Sequence, residues 1–138
     1  MSKYVIYTDG AYSAKRNQGG VGIVILRDGQ LLQKFNKGYK NTTNNRMELK
    51  AVIWALKAVQ KEIDSLTIYS DSMYVIGCAT LGWKRKKNQL EWLLYDEEFE
   101  RAQKLVKNPI EFVHVKGHNG DKYNEICDNL AVRASQQE

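Results

Sequence analysis

Residues 19–35, GGVGIVILRDGQLLQKF, place two apolar alternating runs around an Asp28-Gly29 pair, and no other segment constrains the fold of this chain as strongly. Asp-Gly supplies the positive φ angles of a tight hairpin turn, so the two runs are predicted to be antiparallel neighbours. The alternating segment KYVIYTD that precedes them adds a third strand and makes a meander. The period then changes. TTNNRMELKAVIWALKAVQ puts Val52, Ala55 and Val59 on one stripe and Arg46, Lys50, Lys57 and Lys61 on another, with Thr43 as candidate N-cap, which predicts an amphipathic helix. A strand (SLTIYSD), a short helix (SMYVIGCAT) and a longer helix (QLEWLLYDEEFERAQKLV) follow. In the longer helix Trp92, Tyr95, Phe99, Ala102 and Val106 share a face, and Asn108 and Pro109 are expected to end it. A last strand (IEFVHV), a Gly-flanked loop (KGHNG) and a closing helix (DKYNEICDNLAVRAS) complete the order, with Tyr123, Cys127, Leu130 and Ala134 on one side of that helix. Three antiparallel strands followed by alternating helices and strands predict an α/β fold, a mixed sheet covered by helices. The crossover through the first helix should return to a strand parallel to the first.

A chain of 138 residues can bury one core without disulfides or a structural metal, which predicts a single domain over residues 1–138. Lys and Arg number 21 against 16 Asp and Glu, a net charge of +5, which suits a polyanionic partner and equally suits plain solubility. Cys78 and Cys127 lack CxxC spacing and a cluster of further ligands, so free thiols are expected rather than a zinc site or disulfide framework. Residues 1–8 alternate like a strand and lack a signal-peptide pattern, and no apolar run approaches the roughly 20 residues that span a bilayer. The expectation is a soluble cytoplasmic protein without membrane association.

Asp is a poor strand residue, yet IYTDG and IYSDS each finish an apolar strand pattern on one, at Asp9 and Asp71. If the two strands are parallel neighbours, both carboxylates emerge at one sheet edge about 5 Å apart. That is the edge where open α/β sheets collect ligands. Each aspartate taken alone is equally a turn or cap residue, and Asp71, just before SMYV, has the geometry of an N-cap. Glu48, expected in the first turn of its helix, shares the sheet-facing stripe of Val52, Ala55 and Val59; interaction with the helix dipole is the simpler alternative. Asp128 lies beside the buried face of the last helix, in line with Asn124 and Ala131, where an aspartate taken alone is more often a solvated residue. Carboxylates converging on one edge repel one another unless a cation sits among them. A hard divalent ion, Mg²⁺ or Mn²⁺, suits oxygen ligands. Two such ions about 4 Å apart can clamp the attacking and leaving oxygens of a phosphodiester. The acidic run from Asp96 to Glu100 is read as structural, with Glu97–Arg101 and Glu100–Lys104 as i, i+4 pairs on a solvent face. His114 alternates with Phe112 and is expected to be packed.

With DG after the first strand, TTNNRMEL opening the first helix, YSDSMYV after the fourth strand and KGHNG ahead of CDNLA, the whole chain resembles the type 1 ribonuclease H family. The resemblance implies the ribonuclease H-like fold, a five-stranded mixed sheet flanked by helices. It also implies a monomeric endonuclease that hydrolyses the RNA strand of RNA/DNA hybrids with two Mg²⁺ ions, Mn²⁺ being the alternative, leaving 5′-phosphate and 3′-hydroxyl ends. It assigns the metal-binding carboxylates to Asp9, Glu48, Asp71 and Asp128, and a histidine assisting proton transfer or product release to His118. Asn44 and Asn45 resemble residues that read the minor groove and 2′-hydroxyls, the groups that tell RNA from DNA. Thr43 resembles a DNA-phosphate contact, and Gly10 joins the residues expected at the nucleic acid. GWKRKKN sets Trp83 beside Lys84, Arg85, Lys86 and Lys87; such a run is ordinarily a solvated surface, but next to an aromatic it suits a nucleic-acid backbone. This segment is shorter than the family's basic protrusion. AYSAKRNQ replaces a Pro- and Gly-rich loop and Met73 stands where several members have glutamine, so those contacts do not transfer. Two alternatives remain at this stage: a noncatalytic hybrid-binding module, and a DNA-directed transposase or integrase core.

Overall fold

The computed structural model describes residues 2–116 and 121–137. Its elements are β1 (Lys3–Ser13), β2 (Gln18–Arg27), β3 (Gln30–Lys40), α1 (Asn44–Lys57), β4 (Ser65–Ser70), α2 (Met73–Thr80), α3 (Gln89–Leu105), β5 (Glu111–His114) and α4 (Lys122–Ser135). The sheet order is β3-β2-β1-β4-β5, antiparallel across the first three strands and parallel from β1 through β4 to β5. The predicted meander and parallel return are both present. Asp28 and Gly29 take φ of 52° and 83°, as the hairpin between β2 and β3 requires.

Strand alternation divides the sheet into two faces. Ile6, Ile23 and Ile25 turn toward Leu49, Val52 and Leu56 of α1 and Trp92 and Tyr95 of α3. Tyr7, Val24 and Leu26 turn the other way, toward Cys127 of α4 with Tyr123, Ile126 and Leu130 around it. Each fully buried aliphatic side chain contributes roughly 1.5–3 kcal/mol relative to exposure, so the larger first cluster provides most of the apolar stabilisation. Cys78 and Cys127 are both free and buried. Among the described residues no helix is long and apolar enough to cross a membrane.

Five local expectations are corrected. β1 does not stop at Asp9: Asp9 through Ser13 stay paired with Gly22 through Gln18 of β2, whereas the parallel ladder with β4 stops at Tyr7 and Tyr69. Asp9 therefore sits where the sheet forks, held on one side and open on the other. Glu48 lies in the second turn of α1, because the helix begins at Asn44 behind its Thr43 cap. α3 ends at Leu105, before Asn108 and Pro109, when the chain turns extended at Val106 and bridges to Ile63. Arg101 pairs with Glu98 at 2.8 Å rather than with Glu97, and its guanidinium also donates to the Val59 and Leu56 carbonyls, closing the end of α1. His114 is exposed rather than packed, with its Nε2 3.3 Å from the Asp71 carbonyl oxygen.

Candidate metal centre and adjoining basic groove

Asp9, Glu48 and Asp71 each bring a carboxylate oxygen to within 4.8 Å of the others. Three elements deliver them. β1 carries Asp9 past the fork, α1 points Glu48 at the sheet on the same face as Val52 and Ala55, and β4 releases the chain at Ser70 so that Asp71 starts the turn into α2. The approach of α1 to β1 requires Gly10. A β-carbon there would collide with the Glu48 backbone nitrogen and lie 2.6 Å from the Met47 carbonyl carbon. The Gly10 N–H donates to Asp9 Oδ1 at 2.9 Å and to Glu48 Oε1 at 2.6 Å, so one donor serves two carboxylates. Gly10, expected at the nucleic acid, has this backbone contact in the carboxylate cluster.

The cap alternative for Asp71 is answered by the next residue. Ser72 is the N-cap of α2 and accepts from the Val75 N–H at 3.2 Å. Asp71 Oδ1 is buried without a hydrogen-bond partner in the protein. A buried carboxylate oxygen left unpaired is costly, and a cation is one group that satisfies it. Asp9 is 3% exposed, and its carboxyl is pushed up to about 8, first by burial and then by the charges of Asp71 and Asp128, with the Gly10 N–H opposing. Burial, followed by Asp9 and Asp71, holds the Glu48 carboxyl well above its usual range. Asp128 lies outside the three-membered group but close enough to Asp9 to raise it by charge and by a hydrogen bond. Converging oxygen-only donors with an orphaned oxygen among them fit a hard divalent cation. His118 lies outside the described residues.

The raised Asp9 carboxyl has a consequence for stability. Its folded value of about 8 exceeds the ordinary 3.8, so between these values the folded protein binds the proton more tightly than the unfolded chain does. Metal-free stability should therefore fall as pH rises through that window. Thermal unfolding in chelator should show a Tm several degrees lower at about pH 9 than at about pH 5.5 from this site, with Asp9→Asn flattening the slope.

Beside the cluster an open groove of about 820 Å³ is lined by Thr43, Asn44, Asn45 and Arg46 from the start of α1 and by Lys84, Lys86 and Lys87 from the α2–α3 loop, with Tyr74, Asn88 and Gln89 between them. Thr43 is five residues from Glu48, about 7 Å along the helix axis. The structure thus brings together six of the residues expected at the nucleic acid. Arg85 and Trp83 are not among the groove residues. The Arg85 guanidinium pairs with both Asp96 carboxylate oxygens at 2.8 and 2.9 Å and stacks 4.3 Å from the Trp92 ring. Trp83, 48% exposed, lies over Gly77, where a β-carbon would strike its ring. Sequence reasoning missed the connection between loop and helix. Asn88, at φ 60°, accepts from Arg46 Nε at 3.2 Å and donates to the Tyr74 hydroxyl at 3.0 Å, which also accepts from Trp92 Nε1 at 2.9 Å. Asn is one of the few non-glycine residues that adopt such a φ readily, a signal that could have marked the position as a special turn.

A family model described as RNase H matches residues 1–136. A ribonuclease H of Trichodesmium erythraeum is 41% identical, the match covering 99% of this chain and 90% of that protein. Among solved structures, the N-terminal RNase H domain of Rv2228c from Mycobacterium tuberculosis superposes with a TM-score of 0.81 at 24% identity, covering 98% of this chain and 94% of that one. LC11-RNase H1, solved in complex with an RNA/DNA hybrid, gives 0.78 at 24% identity, with 96% of each chain covered.

Proposed function

Because the chain belongs to the ribonuclease H family, we propose that it is an endonuclease that cuts the RNA strand of RNA/DNA hybrids by a two-metal-ion mechanism, with Mg²⁺ as the working ion. The observation that carries this is the convergence of Asp9, Glu48 and Asp71, with the unpartnered Asp71 oxygen among them, beside a groove lined by lysines and amides. Asp9, Glu48, Asp71 and Asp128 would hold the ions. Bound there, the ions would supply activation of the attacking water and neutralisation of charge at the phosphate and departing 3′ oxygen. Without cations an acidic cluster repels a phosphodiester, so the carboxylates alone cannot bind the scissile group.

The protein's own part is placement. Gly10 orients two carboxylates through one N–H, and the Ser72 cap fixes the start of α2 immediately after Asp71. Lys84, Lys86 and Lys87 would take phosphates of the strand that is not cut, and Asn44 and Asn45 would meet the minor groove where the 2′-hydroxyls are displayed. Thr43 would contact a phosphate on the DNA strand. His118 is proposed to assist proton transfer or product release. The unit that acts is residues 1–138 as one catalytic domain, working as a monomer.

Two measurements examine this. End-group analysis of the cleaved RNA should find 5′-phosphate and 3′-hydroxyl termini. A 2′,3′-cyclic phosphate would mean that the ribose hydroxyl, not water, was the nucleophile, and would overturn the mechanism. Hybrid affinity should fall steeply with salt, since each lysine–phosphate contact releases about one counterion. Replacing Lys84, Lys86 and Lys87 together by alanine should lower low-salt affinity by about ten- to a hundredfold and flatten the log–log salt slope by about two to three. Titrations by fluorescence anisotropy at several salt concentrations would read both.

A further inference from the structure

Helix α4 is tied to β1 through a single residue at two separate points. The Tyr7 hydroxyl donates to Asp121 Oδ2 at 3.1 Å, while the other oxygen of that carboxylate caps α4 by accepting from the Tyr123 and Asn124 N–H groups at 2.9 and 3.2 Å. Six residues further along, about 9 Å of helix, the Cys127 thiol lies 3.4 Å from the Tyr7 carbonyl oxygen and 3.0 Å from that of Gly22. Gly22 permits this approach, since a β-carbon there would lie 2.5 Å from the Cys127 carbonyl oxygen. Tyr7 is itself clamped by a stacked Tyr69 ring at 4.6 Å and a tilted Tyr123 ring at 5.8 Å. Asp9 is two residues beyond Tyr7 on the same strand, and Asp128 directly follows Cys127 on the helix.

We infer that Tyr7 is a positioning residue for Asp128: by holding α4 at its cap and at Cys127, it fixes where the Asp128 carboxylate stands relative to Asp9. The hydroxyl is the adjustable part, because the carbonyl contact is backbone and the ring contacts survive in phenylalanine. A residue that sets the spacing of two carboxylates controls the affinity of the ion they share, in the way outer-shell groups orient ligands. The inference rests on the carboxylate cluster being a metal centre, as proposed above.

The test is a calorimetric titration of Mn²⁺ and of Mg²⁺ into wild type, Tyr7→Phe, Asp121→Ser and Tyr69→Phe, well below each Tm. Asp121→Ser keeps a competent cap while losing reach to Tyr7. Tyr7→Phe and Asp121→Ser should each weaken apparent metal affinity about three- to tenfold, the equivalent of one hydrogen bond, while Tyr69→Phe stays within about twofold. In cleavage assays Tyr7→Phe should need correspondingly more Mg²⁺ for half-maximal rate, with the KM for hybrid unchanged. If Tyr7→Phe lowers Tm but leaves the isotherms at wild-type affinity, the hydroxyl is structural only and the inference fails. If the wild type itself binds neither ion, the metal-centre proposal fails and takes this inference with it.

Discussion

Asp9→Asn should reduce hybrid cleavage by at least about a thousandfold, a loss of some 4 kcal/mol of transition-state stabilisation. It should change hybrid affinity by no more than a few-fold. The two effects separate because the groove residues Thr43, Asn44, Asn45, Lys84, Lys86 and Lys87 come from α1 and the α2–α3 loop, whereas Asp9 belongs to the buried fork of the sheet. The substitution is nearly isosteric and removes a charge that burial, Asp71 and Asp128 all oppose. The variant should therefore fold well and, in chelator near pH 9, melt above wild type. Single-turnover cleavage, equilibrium binding and thermal unfolding on one preparation would check all three. Wild-type turnover by Asp9→Asn would place the chemistry elsewhere.

Gly10→Ala should produce the second large effect, on stability and activity together. The added methyl would meet the Glu48 backbone nitrogen and come within 2.6 Å of the Met47 carbonyl carbon and 2.9 Å of the Glu48 Cα. Backbone cannot rotate away as a side-chain tip can, so α1 would have to lift from β1. The shift would disturb the packing of Leu49, Val52 and Leu56 and lengthen the Gly10–Glu48 hydrogen bond. A cost of about 2–4 kcal/mol is expected, lowering Tm by roughly 5–15 °C. Cleavage should fall even at temperatures where the variant is folded, because Glu48 leaves its place beside Asp9. Gly29→Ala is the useful contrast. Nothing lies within 4 Å of a β-carbon there, and only the φ of +83° opposes it, so the loss should stay near 1 kcal/mol with cleavage unaffected. Urea unfolding of the two variants separates close approach from backbone conformation.

Much of the fold was legible because its signals are local. Asp28-Gly29 between alternating runs specified the hairpin, and Thr43 ahead of a 3.6-period stripe specified α1 and aimed Glu48 at the sheet. The limits of the strand ladders were not local. Whether β1 ends at Asp9 depends on partners at Gly22 and Tyr69, which sequence alternation does not identify, so the strand was expected to finish four residues early. For the same reason Asp71 could not be separated from a helix cap until Ser72 was seen to fill that role. The basic segment reads as one run of charge, yet its members part company in three dimensions. Arg85 turns back onto Trp92 and Asp96 while Lys84, Lys86 and Lys87 face the groove. That division is decided by α3 residues further along the chain. His114 was misplaced because strand alternation identifies a face but not what covers it: β5 is an edge strand, and its His114 remains in solvent.

The most direct test of the central claim is a single cleavage panel with end-labelled strands: RNA/DNA hybrid, duplex RNA, duplex DNA and the two single strands, each with Mg²⁺ and with chelator. Cutting of the RNA strand in the hybrid alone, abolished by chelator, is the predicted result. Equal cutting of duplex DNA, or cleavage of the hybrid that persists in chelator, would contradict it.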